Sequence, residues 1–199
     1  MSTPGSTPPM GASNEADPGQ LDVARAEGAA YRKALEAMRE ESGAVIKQAG
    51  EFLVALVQED AEGMYALQDG HLVWHEAPED ANGHLEIAVA DASDGRFVPG
   101  LDVTVTVTVT SRGEKVLDTT LPFLWHPFLY HYGTNFTMPG AGDYDVQVHI
   151  DPPQFMRHDP VNGKRYEHPV EVAFLTVPFN PGRKPSPDAQ PRAQGTPTG

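Results

Sequence analysis

Valine and threonine alternate without a break from Val103 to Val109. Only an extended chain turns every second side chain to the same side. The valines therefore define an apolar face, and Thr104, Thr106 and Thr108 a wet one. Such a segment belongs to a sheet packed on a core along one side. From Glu59 onward similar short runs are separated by turn signals. They predict strands near Gly63–Gln68, His71–His75, His84–Ala90, Val103–Ser111, Lys115–Leu121, Tyr144–Ile150 and Val170–Val177, the pattern of an all-β sandwich. Gln68-Asp69-Gly70-His71 is a hairpin turn by its Asp-Gly step, and Ser111-Arg112-Gly113-Glu114 is a second reversal. In Tyr144–Ile150 the even positions turn inward and leave His149 outside. In His84–Ala90, Leu85, Ile87 and Val89 form the apolar side. His84 and Glu86 then project together from the opposite face, which alternation predicts to be wet.

The segment before the sandwich reads differently. From Leu21 to about Gln58, Tyr31, Leu35, Met38, Val45, Ala49, Leu53 and Leu56 recur at three- and four-residue steps, with charged residues opposite. One helix is expected, or two with a bend near Ser42-Gly43, since Gly43 and Gly50 weaken the pattern. The resulting plan has disordered ends at 1–19 and 180–199, where Ser, Thr, Pro and Gly leave little to bury. A helical segment at 20–60 precedes a sandwich domain at 61–179.

Charge removes several functions from consideration. Lys and Arg number 14 against 28 Asp and Glu, for a net charge of −14. Such a chain repels phosphate backbones and anionic lipid, so nucleic acid is excluded as a partner and cations are favoured. No apolar run is long enough to enter a membrane directly. Cysteine is absent, which excludes disulfides, thiolate zinc sites, iron–sulfur ligation and cysteine-ligated copper. The first residues lack the basic start and apolar stretch of a secretory leader. No serine elbow, phosphate loop, dinucleotide fingerprint or zinc-protease helix is present, and no enzyme activity is expected.

Metal binding is the chemistry that the remaining residues suggest. His84 and Glu86 stand two apart on one strand face, a spacing that lets both reach one ion. His126 and His131 lie in the aromatic segment Phe123–Gly133, which Pro127 keeps from being a regular strand. His158 sits in a proline-framed loop beside Asp159, a carboxylate able to orient it. His71, His75, His149 and His168 read as surface residues.

The order of short motifs resembles a known family. His131-Tyr132-Gly133-Thr134-Asn135, Pro139-Gly140, Gly142-Asp143-Tyr144, Ile150-Asp151-Pro152-Pro153, Arg157-His158 and Pro169-Val170-Glu171-Val172 follow one another as in bacterial periplasmic iron-transport-associated proteins. His84-Leu85-Glu86 and Phe97-Val98-Pro99-Gly100-Leu101 fall where that family's earlier strand would place them. The resemblance spans about residues 63–177. It implies an immunoglobulin-like β-sandwich that binds copper or iron, usually as a homodimer, beside an iron permease. Carried over position by position, it implies His84, Glu86, His131 and His158 as ligands. The family has a methionine a few residues before the His-Tyr-Gly motif. Here Leu124-Trp125-His126 stands at that place, and His126 is the substitute, which shifts preference from Cu(I) toward Cu(II), iron or zinc.

The expectation is thus a mainly β, immunoglobulin-like sandwich with an N-terminal α-helical segment. It would bind iron or copper, with zinc also compatible, through His84, Glu86, His126, His131 and His158 on an outer sheet face. A second copy would cover that face, and affinity would weaken as the imidazoles protonate below about pH 6. The resemblance implies a periplasmic location, while the absence of a visible leader leaves a cytoplasmic one open. The competing expectation is a metal-free interaction module using Trp125–Tyr132 as its contact patch.

Overall fold

The computed structural model describes residues 7–187. Its first element, α1 (Pro18–Ser42), begins at a capping box: Asp17 accepts from the Gln20 backbone, and the Gln20 side chain accepts from the Asp17 backbone. It ends where Gly43 enters the left-handed region at φ 72° and donates to the Arg39 carbonyl.

The helix expected to run to Gln58 therefore stops at Ser42, and the next residues form an antiparallel hairpin, β1 (Val45–Ala49) and β2 (Phe52–Glu59). The reason lies in the burial of β2, whose middle is covered on both faces. A strand apolar at nearly every position also contains three- and four-residue spacings, so periodicity does not distinguish it from a helix.

The remaining strands are β3 (Met64–Gln68), β4 (His71–His75), β5 (Gly83–Asp91), β6 (Val103–Val109), β7 (Glu114–Thr120), β8 (Phe123–Leu124), β9 (His131–Phe136), β10 (Gly142–Ile150) and β11 (Val170–Phe179). They form a five-stranded sheet in the order β1-β2-β5-β9-β8, a four-stranded sheet β11-β10-β6-β7, and the separate ribbon β3-β4. All named pairings are antiparallel. In the ribbon, Asp69 and Gly70 both take positive φ, 51° and 81°, as a two-residue hairpin turn requires.

The two larger sheets pack face to face. Val54, Leu56, Leu85, Ile87 and Val89 of one meet Val103, Val105, Val107, Val146, Val148 and Phe174 of the other in one apolar cluster. The valine side of β6 is buried and its threonines are partly exposed, as alternation predicts. The fold is thus mainly β, an immunoglobulin-like sandwich with an N-terminal helix.

The outer face of the five-stranded sheet departs from expectation. Alternation along β5 predicted it to be wet, but every residue of β5 is buried. Helix α1 lies across this face, and Leu35 and Met38 pack on Ala55, Val57, Ala88 and Ala90. The alanines keep the sheet surface flat enough for close approach. The helix stripe is therefore satisfied within the chain, without a second copy.

The ends are also more fixed than composition suggests. Gly11 exchanges hydrogen bonds with Asn162, and Ser13 donates to Asp159. After β11, Gly182 and Lys184 bond the backbone of Ala61 and Asn82. The Arg183 guanidinium meets the carbonyls of Ala77, Pro78 and Ala81. The disorder expected at 1–19 and 180–199 is thus not seen for 7–19 or 180–187, and the rest lies outside the described residues. Among the described residues no helix is long and apolar enough to cross a membrane.

Candidate metal centre

Strand β5 carries His84 and Glu86 beneath the C-terminal half of α1, and β9 begins with His131 beside them. His84 is opposite Glu59 of β2 and Asn135 of β9, while Glu86 faces Gly133. One donor atom from each of His84, Glu86 and His131 lies within 4.8 Å of the others. Glu86 Oε1 is 3.8 Å from His84 Nε2 and 3.6 Å from His131 Nε2. These separations exceed a hydrogen bond. Donors that each sit about 2 Å from one ion stand about 3–4 Å apart, which is the spacing observed.

Two further observations fit an ion. Nε2 of His84 and both ring nitrogens of His131 are buried and lack a hydrogen-bond partner among the described residues. Orphaned buried nitrogens are costly, and a metal satisfies them. Opposite Glu86, Gly133 has no side chain, and a Cβ there would come within 2.9 Å of His84 Nε2. The glycine keeps the space at the imidazole open.

Burial sets the protonation of the cluster. It pushes the Glu86 carboxyl up to about 8, with the charges of Glu59 and Glu62 acting in the same direction. It draws His131 down to about 4, helped by the neighbouring His84. His84 is also lowered by burial, against the pull of Glu62 and Asn135. At neutral pH the three groups are therefore mostly uncharged, two neutral imidazoles and a carboxylic acid, and a divalent ion would displace the proton on Glu86.

The other two sequence candidates are placed differently. The exposed His126 ring lies 6.2 Å from that of His131, centre to centre, and its Nδ1 accepts from the Phe128 backbone, leaving Nε2 open. Among the clefts His126 lines are one of about 150 Å³ shared with Glu62 and Glu86 and one of about 570 Å³ shared with Glu62 and His131. His158 does not join the group: its side chain is 85% exposed and bonds Glu15 at 3.1 Å. Asp159, expected to orient it, is instead engaged by Asn162, Val161 and Ser13. The aromatic segment is an outer platform rather than a wall around the imidazoles. Phe123 and Tyr130 stack on each other and pack at a tilt against Phe97, and Trp125 is 71% exposed.

Sequence reading missed the residues that frame the cluster. Glu62 Oε1 is 3.9 Å from His84 Nε2. Asn135 binds both His84 Nδ1 and the backbone of Glu62. Lys184, from the segment after β11, pairs with Glu59 and Glu62. These two carboxylates hold the Lys184 ammonium charged against the cost of partial burial. Glu62 and Lys184 carry no local pattern, whereas Asn135 ends the His-Tyr-Gly-Thr-Asn motif and was open to notice.

Comparison with known proteins finds solved structures that share the fold. FetP from uropathogenic Escherichia coli strain F11 is similar at 25% identity and a TM-score of 0.57, over 69% of this chain and 93% of that one. A copper-bound variant of the same protein matches at 23% identity and 0.56, over 76% and 98%. Copper-reconstituted P19 from Campylobacter jejuni shares the fold at 20% identity and 0.58, over 70% and 96%. No curated protein sequence matches the chain. The family described as Fe2+ transport protein matches residues 49–180, more than half the chain and all of the sandwich from the turn before β2. The chain therefore belongs to the Fe2+ transport protein family.

Proposed function

We propose that this protein binds one transition-metal ion, copper or iron, through His84, Glu86 and His131, with His126 at the rim. It would act as a non-catalytic accessory protein in iron uptake. The observation that carries this reading is the set of buried nitrogens, without partners among the described residues, that converge on one carboxyl at ion-sharing distances. The copper-bound relatives support the choice of metal. A soft thioether is absent from the place where the resemblance implies one, and nitrogen and oxygen donors favour Cu(II) or iron there. His158, bonded to Glu15 on the exterior, is left out of the ion's shell within one chain.

A periplasmic location, a homodimer and an iron permease as partner extend the same proposal. Helix α1 already covers the sheet face first assigned to a second copy. The surface suited to one is instead the aromatic platform, where Phe123, Trp125 and Phe128 are each at least half exposed. That exposed patch also favours the second reading, a metal-free interaction module. Metal analysis separates the two. The wild-type protein is expected to take up one equivalent of Cu(II) with a d–d band, and His84→Ala with His131→Ala to take up none. Equal metal content in both would overturn the metal reading and leave the interaction module.

A further inference from the structure

We infer that Glu62 is a further ligand of this metal, supplying a second carboxylate donor through Oε1. The inference rests on the metal-binding reading above. Among the described residues the fully buried His84 Nε2 has no hydrogen-bond partner, and it faces Glu62 Oε1 at 3.9 Å, nearly the distance that separates it from Glu86 Oε1. An ion bound to both imidazoles and Glu86 is then within reach of Glu62 after a small movement of its side chain.

Glu62 is held for this role from two sides. The Asn135 carboxamide clamps its backbone, accepting from the Glu62 N–H at 3.1 Å and donating to its carbonyl at 2.8 Å. The Lys184 ammonium holds Oε2 at 2.7 Å, and among the described residues Oε1 takes no hydrogen bond. Neighbouring Glu59 differs in this respect. Its Oε1 accepts from Ser42 and its Oε2 from Lys184, so both oxygens are engaged.

Lys184 lies beyond the residues 49–180 that match the family. The neighbouring Arg183 is pinned by the carbonyls of Ala77, Pro78 and Ala81. The side-chain contact that holds Glu62 Oε2 thus comes from a segment outside the matched residues. The ligand set becomes two imidazoles and two carboxylates, with His126 available at the rim.

The test is Cu(II) titration of the full chain, followed by equilibrium competition and by electron paramagnetic resonance. Glu62→Gln keeps the shape and the Lys184 contact but donates weakly to a metal. It is expected to weaken Cu(II) binding by about tenfold or more and to change the copper hyperfine splitting. Glu59→Gln removes the same charge next to the same ammonium and is expected to leave the splitting unchanged. Glu62→Asp, which retracts the carboxylate while keeping its charge, should behave like Glu62→Gln, so loss of folding in one variant leaves the other informative. Equal weakening by Glu59→Gln and Glu62→Gln with unchanged spectra would reduce Glu62 to a source of field and overturn the inference. Wild-type binding and spectrum in Glu62→Gln would overturn it as well. A wild-type protein that takes up no copper would instead overturn the site itself.

Discussion

The Asn135 carboxamide oxygen stands 3.1 Å from Nδ1 of His84, and the orientation of that amide is fixed by its bonds to the Glu62 backbone. The oxygen must face the Glu62 N–H and the NH2 the Glu62 carbonyl, so only an acceptor is presented to His84. Nδ1 therefore carries the proton, and the lone pair on Nε2 points at Glu86 and Glu62. Asn135→Ala removes this control. We expect metal affinity to fall about 10- to 100-fold with the ligands themselves intact, as read by competition titration.

In the proposed site, Glu86 would set the pH dependence of metal binding. Its carboxyl, pushed up to about 8, must lose a proton to take the metal. Affinity should rise about tenfold per pH unit through the acidic and neutral range and level off above pH 8. Calorimetry near pH 6.5 in buffers of different ionisation enthalpy should report about one proton released. Protonation of the imidazoles sets in lower than the pH 6 expected from exposed histidine, because burial takes His131 to about 4. In the metal-free protein the sign is opposite. The unfolded chain releases the Glu86 proton at its ordinary value of 4.5 and the folded chain holds it to about 8, so stability declines as pH rises across that window. Glu86→Gln should abolish both slopes in titration and in melting.

How far the sequence disclosed all this depended on whether the deciding contact was local. The valine–threonine alternation of β6 and the Asp69-Gly70 turn depend on backbone periodicity and turn stereochemistry, and both are found as read. Residues 45–59 carried the wrong period because β2 lies between a sheet core and a helix, a fact of tertiary packing. The pairing of His84 with Glu86 followed from their spacing, and their meeting with His131 followed from the family's motif order. Their burial was hidden, since nothing in β5 announces that a distant helix will cover its outer face, where Leu35 and Met38 pack on Ala88 and Ala90. Glu62 and Lys184 are brought to the cluster by chain reversals without a local signature.

Asp91 and Arg165 tie the end of β5 to the loop before β11. The Asp91 side chain is 1% exposed and meets the Arg165 guanidinium at 2.7 Å, with Ser93 and Tyr166 donating to the same carboxylate. Burial raises the cost of its charge, yet these hydrogen bonds outweigh it and hold the carboxyl below its ordinary range. Arg165→Met leaves that charge without its cation and should cost about 3–5 kcal/mol in urea unfolding. The stabilisation belongs to the ionised form. It should persist above the ordinary aspartate range and fade as pH falls through the lowered value.

Gly28 decides how closely α1 lies on the sandwich. A Cβ at this position would run into the Asp94 carbonyl group and the Arg96 amide nitrogen, which are backbone atoms with no flexible end to yield. Helix propensity alone predicts that Gly28→Ala stabilises by about 1 kcal/mol. Displacement of the helix predicts the reverse, a loss of about 1–3 kcal/mol typical of overpacking. The second effect should win, because Gly28 is buried against a turn fixed by the Asp91 carboxylate through the amides of Ser93 and Asp94. A lifted helix would also loosen Met38 over the metal cluster, so copper release to a chelator should quicken in Gly28→Ala. A variant more stable than wild type, with unchanged release, would show that the helix does not depend on this contact.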